Sequence, residues 1–60
     1  MFTVIEQWDV IDGWFQTMNR EPFTSDDYEE CLLWIMNNKK SNTRYYIKEG
    51  KYGTVTEQIA

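Results

Sequence analysis

Apolar and polar residues alternate from Phe2 to Ile11 in a stretch rich in β-branched and aromatic side chains and free of Gly and Pro, which predicts a β-strand. Phe2, Val4, Trp8 and Val10 share one parity and are expected on the core face. Glu6 has the same parity and interrupts it, so a bulge or a shallow sheet edge is expected nearby. Asp12-Gly13 then predicts a two-residue hairpin turn, because both of its central positions need positive φ. In that hairpin Ile11 faces Trp14, Val10 faces Phe15 and Trp8 faces Thr17, with the second strand running from Trp14 to Met18. The opposite face would collect Ile5, Ile11, Trp14 and Met18, a second apolar surface.

The period changes from two to 3.6 after the loop Asn19-Arg20-Glu21-Pro22. Thr24 to Asn38 carries an ordered set of helix signals. Thr24 as N-cap and Asp27 at N3 predict a reciprocal capping box, and Phe23 and Tyr28 are spaced as a hydrophobic staple. Asp26, Asp27, Glu29 and Glu30 complement the positive end of the helix dipole, and Lys39 and Lys40 the negative end. Tyr28, Cys31, Leu32, Ile35 and Met36 form the expected buried stripe, with Leu33 and Trp34 to either side of it. Asn37 and Asn38 suit a left-handed C-terminal position.

After the turn at Ser41-Asn42-Thr43, Arg44 to Lys48 reads as a third strand. Glu49-Gly50-Lys51 leads to a more polar fourth, Tyr52 to Ile59, which Gly53 weakens. The expected fold is therefore α+β in the order ββαββ: a small, mostly antiparallel sheet of three to four strands with one helix on one face, and strand three beside strand one.

Composition narrows the options. Sixty residues, residues 1–60, allow one small domain, whose core has to be dense in large side chains; ten aromatics supply that density. A single cysteine, Cys31, closes no internal disulfide, and without histidine there is neither an imidazole base nor a His metal site. No apolar run reaches the length of a membrane span, and strand-like alternation follows Met1 at once, so a soluble cytoplasmic chain is expected. Net charge is −4, unevenly spread. The first thirty residues hold eight carboxylates against Arg20, a net −7, and the last thirty hold five cations against Glu49 and Glu57, a net +3.

These features point away from catalysis and from cofactors. The acids at Asp26, Asp27, Glu29 and Glu30 lack calcium-loop spacing and read as a solvated helix start rather than a metal site. Cys31 lies in the core stripe, where a thiol behaves as a small hydrophobe. Lys39, Lys40, Arg44, Tyr45, Tyr46, Lys48 and Lys51 combine cations with aromatic rings, as single-stranded nucleic-acid binders do, but the acidic chain weighs against that. Ile5, Ile11, Trp14 and Met18, joined by Leu33 or Trp34, are the candidate contact residues for a protein partner. Two other readings of that face stay open. It could close a homodimer, or a register one residue off could make it the core.

The short alternating strand with Asp12-Gly13, the helix after Phe23-Thr24-Ser25 and the closing Arg44-Tyr45-Tyr46-Ile47 strand together resemble the very small accessory proteins of bacteriophages and other mobile elements, anti-CRISPR proteins among them. The resemblance rests on size, composition and architecture and transfers no functional residue. It implies a non-enzymatic protein in the host cytoplasm that binds and blocks one host protein, such as a defence nuclease or nucleic-acid enzyme. The acidic residues Asp26, Asp27, Glu29 and Glu30 would steer it toward a basic surface.

Overall fold

A computed structural model describes residues 1–50 and 54–59, with residues 54–58 as backbone only. Strands β1 (Phe2–Ile11) and β2 (Phe15–Ser25) form a long hairpin, followed by helix α1 (Tyr28–Asn38) and strand β3 (Thr43–Glu49). The stretch Thr54–Gln58, β4, pairs along the outer side of β3. The antiparallel order across the sheet is β2-β1-β3-β4. The α+β class, the antiparallel sheet and the adjacency of β1 and β3 agree with the sequence.

One side of the sheet carries the core. Val4 from β1, Tyr45 and Ile47 from β3 and Cys31 and Ile35 from α1 are buried, with Phe2, Phe23, Tyr28, Leu32, Trp34 and Ile59 packed around them. Aromatic contacts lock the layer. Phe2 meets Tyr28 edge-on at 5.4 Å, and Phe23 stacks on Trp34 at 6.0 Å and 15°.

The hairpin differs from the expected one in a way that moves side chains between faces. Ile11 pairs with Phe15, so the turn has three residues, Asp12, Gly13 and Trp14, with Gly13 at φ 71°. The β2 residues from Phe15 to Arg20 change face relative to the two-residue expectation. Met18 pairs with Trp8 and shares the helix side, and Trp14 belongs to neither face. A second irregularity then restores the register needed by the core. Between the pairs Val4↔Phe23 and Glu6↔Arg20, β1 contributes Ile5 alone while β2 contributes both Glu21 and Pro22. This β2 bulge suits Pro22, which has no N–H to give and lies on an edge strand.

These two departures have one physical consequence. An uninterrupted two-residue hairpin would place Asn19 opposite Glu6 and Glu21 opposite Val4. The observed register gives Glu6 a cation, Arg20, and gives Val4 an aromatic ring, Phe23.

The helix starts later than its signals suggest, because Thr24 and Ser25 are still paired with Thr3 and Phe2 in the sheet. Asp27 is the N-cap. Its carboxylate accepts from the Glu29 N–H at 3.0 Å, and Ser25 Oγ accepts from the Asp27 N–H at 3.0 Å. The capping box at Thr24 therefore does not form, and with Asp27 as N-cap Phe23 and Tyr28 do not occupy the staple positions. At the other end Lys39 is extended, with its N–H on the Ile35 carbonyl at 2.8 Å, and Asn38 Nδ2 donates to the Trp34 carbonyl. The left-handed residue is Asn42 in the following turn, at φ 57°, rather than Asn37 or Asn38. Met36, expected in the buried stripe, is 70% exposed.

Candidate functional site

Length mismatch between helix and hairpin creates the two distinctive surfaces. Eleven helical residues rise about 16 Å, whereas ten strand residues extend about 33 Å. Pairing of β1 with β3 ends at Trp8↔Thr43, so residues 9–17 leave the sheet as a two-stranded ribbon. Its end displays Ile11, Trp14 and Phe15, at 82%, 76% and 71% exposure. Asp12 is the acidic residue of that turn.

The expected apolar face opposite the helix is instead a polar lattice. Arg44 reaches from β3 to the neighbouring β1 and grips Asp9 with both Nη atoms at 3.0 Å while its Nε donates to Gln7 Oε1. Thr17 donates to Asp9, Gln7 donates to Asn19, and Lys48 pairs with Glu21 at 2.8 Å. Ile5 sits within this lattice, half-buried and opposite Tyr46. Of the expected contact residues, Ile11 and Trp14 come together at the ribbon end with Phe15, whereas Ile5 and Met18 lie elsewhere. Leu33 is exposed on the helix, and Trp34 is packed between Phe23 and Tyr45.

The Arg44 fork holds the Asp9 carboxyl below its ordinary value of 3.8, and Thr17 adds to the effect. A carboxyl lowered in this way contributes stability that is complete above its unfolded value and is lost as pH falls through the folded one. Acid unfolding monitored by circular dichroism should therefore show a loss beginning below about pH 4 that is smaller in Asp9→Asn. An unchanged acid limb would remove Arg44–Asp9 from the account.

The basic-aromatic segment is disassembled by the same contacts. Arg44 and Lys48 are neutralised by Asp9 and Glu21, Tyr45 is buried, and Lys51 lies outside the described residues. Asp26, Asp27, Glu29 and Glu30 gather at the start of the helix, beside the first residues of β1. The ribbon end lies nine strand positions away, about 30 Å. The acidic and apolar surfaces thus sit toward opposite ends of a molecule 39 Å long. Among the described residues no three His, Cys, Asp or Glu side chains converge as metal ligands would. Cys31 is fully buried with Sγ 3.8 Å from the Phe2 carbonyl. Burial, aided by Glu30 and Asp27, pushes its thiol pKa up, which disfavours the reactive thiolate.

The second surface is a cavity of about 560 Å³ where the ribbon outruns the helix. Its floor is Glu6, 1% exposed. Glu6 Oε2 accepts from Tyr45 Oη at 2.8 Å, Oε1 meets Arg20 Nη2 at 2.8 Å, and Lys40 Nζ stands 4.0 Å from Oε1. Tyr45 Oη in turn accepts from the Lys40 backbone N–H at 3.0 Å. Trp8 forms one wall, and Ser41, Asn42 and Thr43 line the side toward the loop into β3. An acid at a core-parity strand position, with an Arg on the hairpin partner and a Tyr in the next strand, is the sequence signal for this cluster; the alternation flagged only the acid.

Compared with known proteins, the chain matches no family model, no curated protein and no solved structure.

Proposed function

We propose that this chain is a non-enzymatic protein-binding module whose anchor is the end of the β1–β2 ribbon. The observation that carries the reading is the joint exposure of Ile11, Trp14 and Phe15 on a two-stranded extension that no other element covers among the described residues. Small soluble proteins seldom hold contiguous large apolar side chains in water, and Trp is enriched where binding energy concentrates. A ring that buries roughly 150 to 250 Å² on contact supplies much of an anchor.

The finer form of the proposal is an inhibitor of the small phage-encoded kind, acting in the cytoplasm on a host nuclease or other nucleic-acid enzyme. Its support is the net charge of −4 and the acidic helix start, Asp26, Asp27, Glu29 and Glu30, some 30 Å from the ribbon end. A partner engaging both contacts the molecule along most of its length, as a cleft lined by basic side chains would. A second reading, a homodimer, rests on the outer edge of β2, whose Phe15–Arg20 stretch is an edge strand without the Pro22 bulge. Light scattering on the pure protein separates the two, since only the homodimer requires a stable pair in the absence of any target.

The immobilised chain, presented with a nuclease-treated bacterial lysate, should retain a protein target that Trp14→Ala binds at least about tenfold more weakly, a loss of about 1.4 kcal/mol. The circular dichroism spectrum of Trp14→Ala should match the wild type, because the ring is 76% exposed. Equal retention by the variant would overturn the ribbon as anchor. A wild-type on-rate insensitive to salt would remove the steering role of the acidic helix start.

A further inference from the structure

The Glu6 cavity is independent of the ribbon end and has a chemistry of its own. Burying a carboxylate in a 60-residue protein is costly, and an apolar residue of similar size at that strand position would fill the core without the penalty. Yet both oxygens of Glu6 are occupied, one by Tyr45 and one by Arg20, so the carboxylate has little left to offer a ligand. What it does is hold the Arg20 guanidinium at the cavity. A guanidinium carries five N–H donors, and the contact with Glu6 runs through Nη2. Lys40 brings a second cation to the same place, at a distance from Glu6 too long for a hydrogen bond. Asp9, which also borders the cavity, has both oxygens gripped by Arg44. With Asp9 neutralised by Arg44 from outside the space, Glu6 stands against Arg20 and Lys40, which leaves one net positive charge there in a protein that is negative overall.

The remaining walls add to this. Trp8 gives an extended aromatic surface, and Ser41, Asn42 and Thr43 give short polar side chains along the opposite side. At about 560 Å³ the space exceeds what a bare inorganic anion fills and falls in the range of small-molecule sites, about 300 to 1,000 Å³. A planar guanidinium recognises carboxylate and phosphate oxygens through paired N–H groups, and an indole accommodates a flat ring.

We infer that the cavity between the ribbon and the loop after the helix binds a small anion carried on a flat ring, with Arg20 and Lys40 holding the anionic group and Trp8 facing the ring. A nucleoside monophosphate and an aromatic carboxylate both satisfy that description. Glu6 is a positioning residue in this arrangement, and its partners fix where the guanidinium stands.

The test is titration of the uniformly ¹⁵N-labelled full chain with AMP, with benzoate and with inorganic phosphate, read by amide and indole N–H shifts. AMP or benzoate should give saturable shifts confined to Glu6, Trp8, Arg20 and residues 40–43, with the tighter of the two identifying a phosphate monoester or a carboxylate as the source of the anion. Lys40→Gln, which removes an exposed cation outside the core hydrogen bonds, should weaken that binding about fivefold and leave the rest of the spectrum in place. Trp14→Ala should leave it unchanged, which keeps this site separate from the ribbon anchor. Absence of saturable shifts at the cavity, equal affinity for inorganic phosphate and AMP, or unaltered affinity in Lys40→Gln would each overturn the assignment.

Discussion

Tyr45→Phe should lower the unfolding free energy by about 2 kcal/mol, although it removes a single oxygen atom. Tyr45 and Glu6 are 0% and 1% exposed, and their 2.8 Å hydrogen bond satisfies one oxygen of a buried carboxylate. Hydrogen bonds to charged groups contribute more than neutral ones, and removing the donor leaves the desolvation of the acceptor uncompensated. The same deletion orphans the Lys40 N–H. For a domain of this size the expected fall in Tm is roughly 10 °C. Adding Glu6→Leu should then return at least about 1 kcal/mol, because the carboxylate that lost its donor is gone and the half-exposed Arg20 is solvated. The decisive result is non-additivity in chemical denaturation. A neutral Tyr45→Phe, or a double variant worse than either single, would show that the pair does not organise this end of the core.

The alkaline limb provides a second readout on the same residue. Burial, reinforced by the hydrogen bond to Glu6, raises the Tyr45 pKa above its ordinary 10.0. The folded state then holds its proton more tightly than the unfolded chain does. Stability is complete below pH 10 and declines as pH rises through the folded value, so Tyr45→Phe should flatten that decline.

How far the sequence could anticipate this arrangement depends on which forces act locally. The α+β class, the β1 strand, the core parity of Phe2 and Val4 and the buried pair Cys31 and Ile35 all follow from patterns within one element. Each pattern is visible because side chains four or two residues apart must share a face. What failed was decided between elements. Asp12-Gly13 favours the two-residue turn but also suits the three-residue one, in which Gly13 takes the positive φ. The choice was settled at a distance, by the pairing of Glu6 with Arg20 and of Val4 with Phe23, and compensated by the bulge at Glu21 and Pro22. That shift moved Met18 to the helix side and dissolved the apolar face on which Ile5, Ile11, Trp14 and Met18 were expected to meet. The helix start slipped for a similar reason. Pairing with Phe2 and Thr3 held Ser25 and Thr24 in the sheet, and the capping role passed to Asp27.

The candidate site was legible only in part. Trp14 and Ile11 stood out as large apolar residues beside a turn, and they are the exposed end of the ribbon. Glu6 stood out as a fault in the alternation, but its partners come from β2, β3 and the loop between α1 and β3, and no short-range pattern joins them. The same length mismatch produces both surfaces. Because the helix spans about half of β1, the far half of the hairpin has no layer behind it among the described residues, leaving an apolar tip at the end and a cavity at the step. A longer helix would have closed the step and converted Trp8 and Val10, both half-buried, into ordinary core.

The helix face supplies the other large effect, and it follows from how little core there is. Ile35 is 1% exposed at the centre of a cluster whose fully buried apolar members are Val4, Cys31, Tyr45 and Ile47. Ile35→Ala removes buried methyl and methylene groups and leaves a cavity flanked by both sheet and helix, a change that costs about 3 kcal/mol. For a domain this small that is a large share of the total stability, so the urea midpoint should fall steeply, with the slope preserved as long as a folded baseline persists. Met36 is the next residue along the helix and differs in every relevant respect. At 70% exposure it contributes little burial, so Met36→Ala should stay within about 0.5 kcal/mol of wild type. The contrast is more informative than either value, because the helical stripe in the sequence assigned both residues to the core. Equal costs at the two positions would mean that the last turn of α1 packs down on the sheet. The step that opens the Glu6 cavity would then be closed, and a neutral Met36→Ala beside a crippling Ile35→Ala keeps it open.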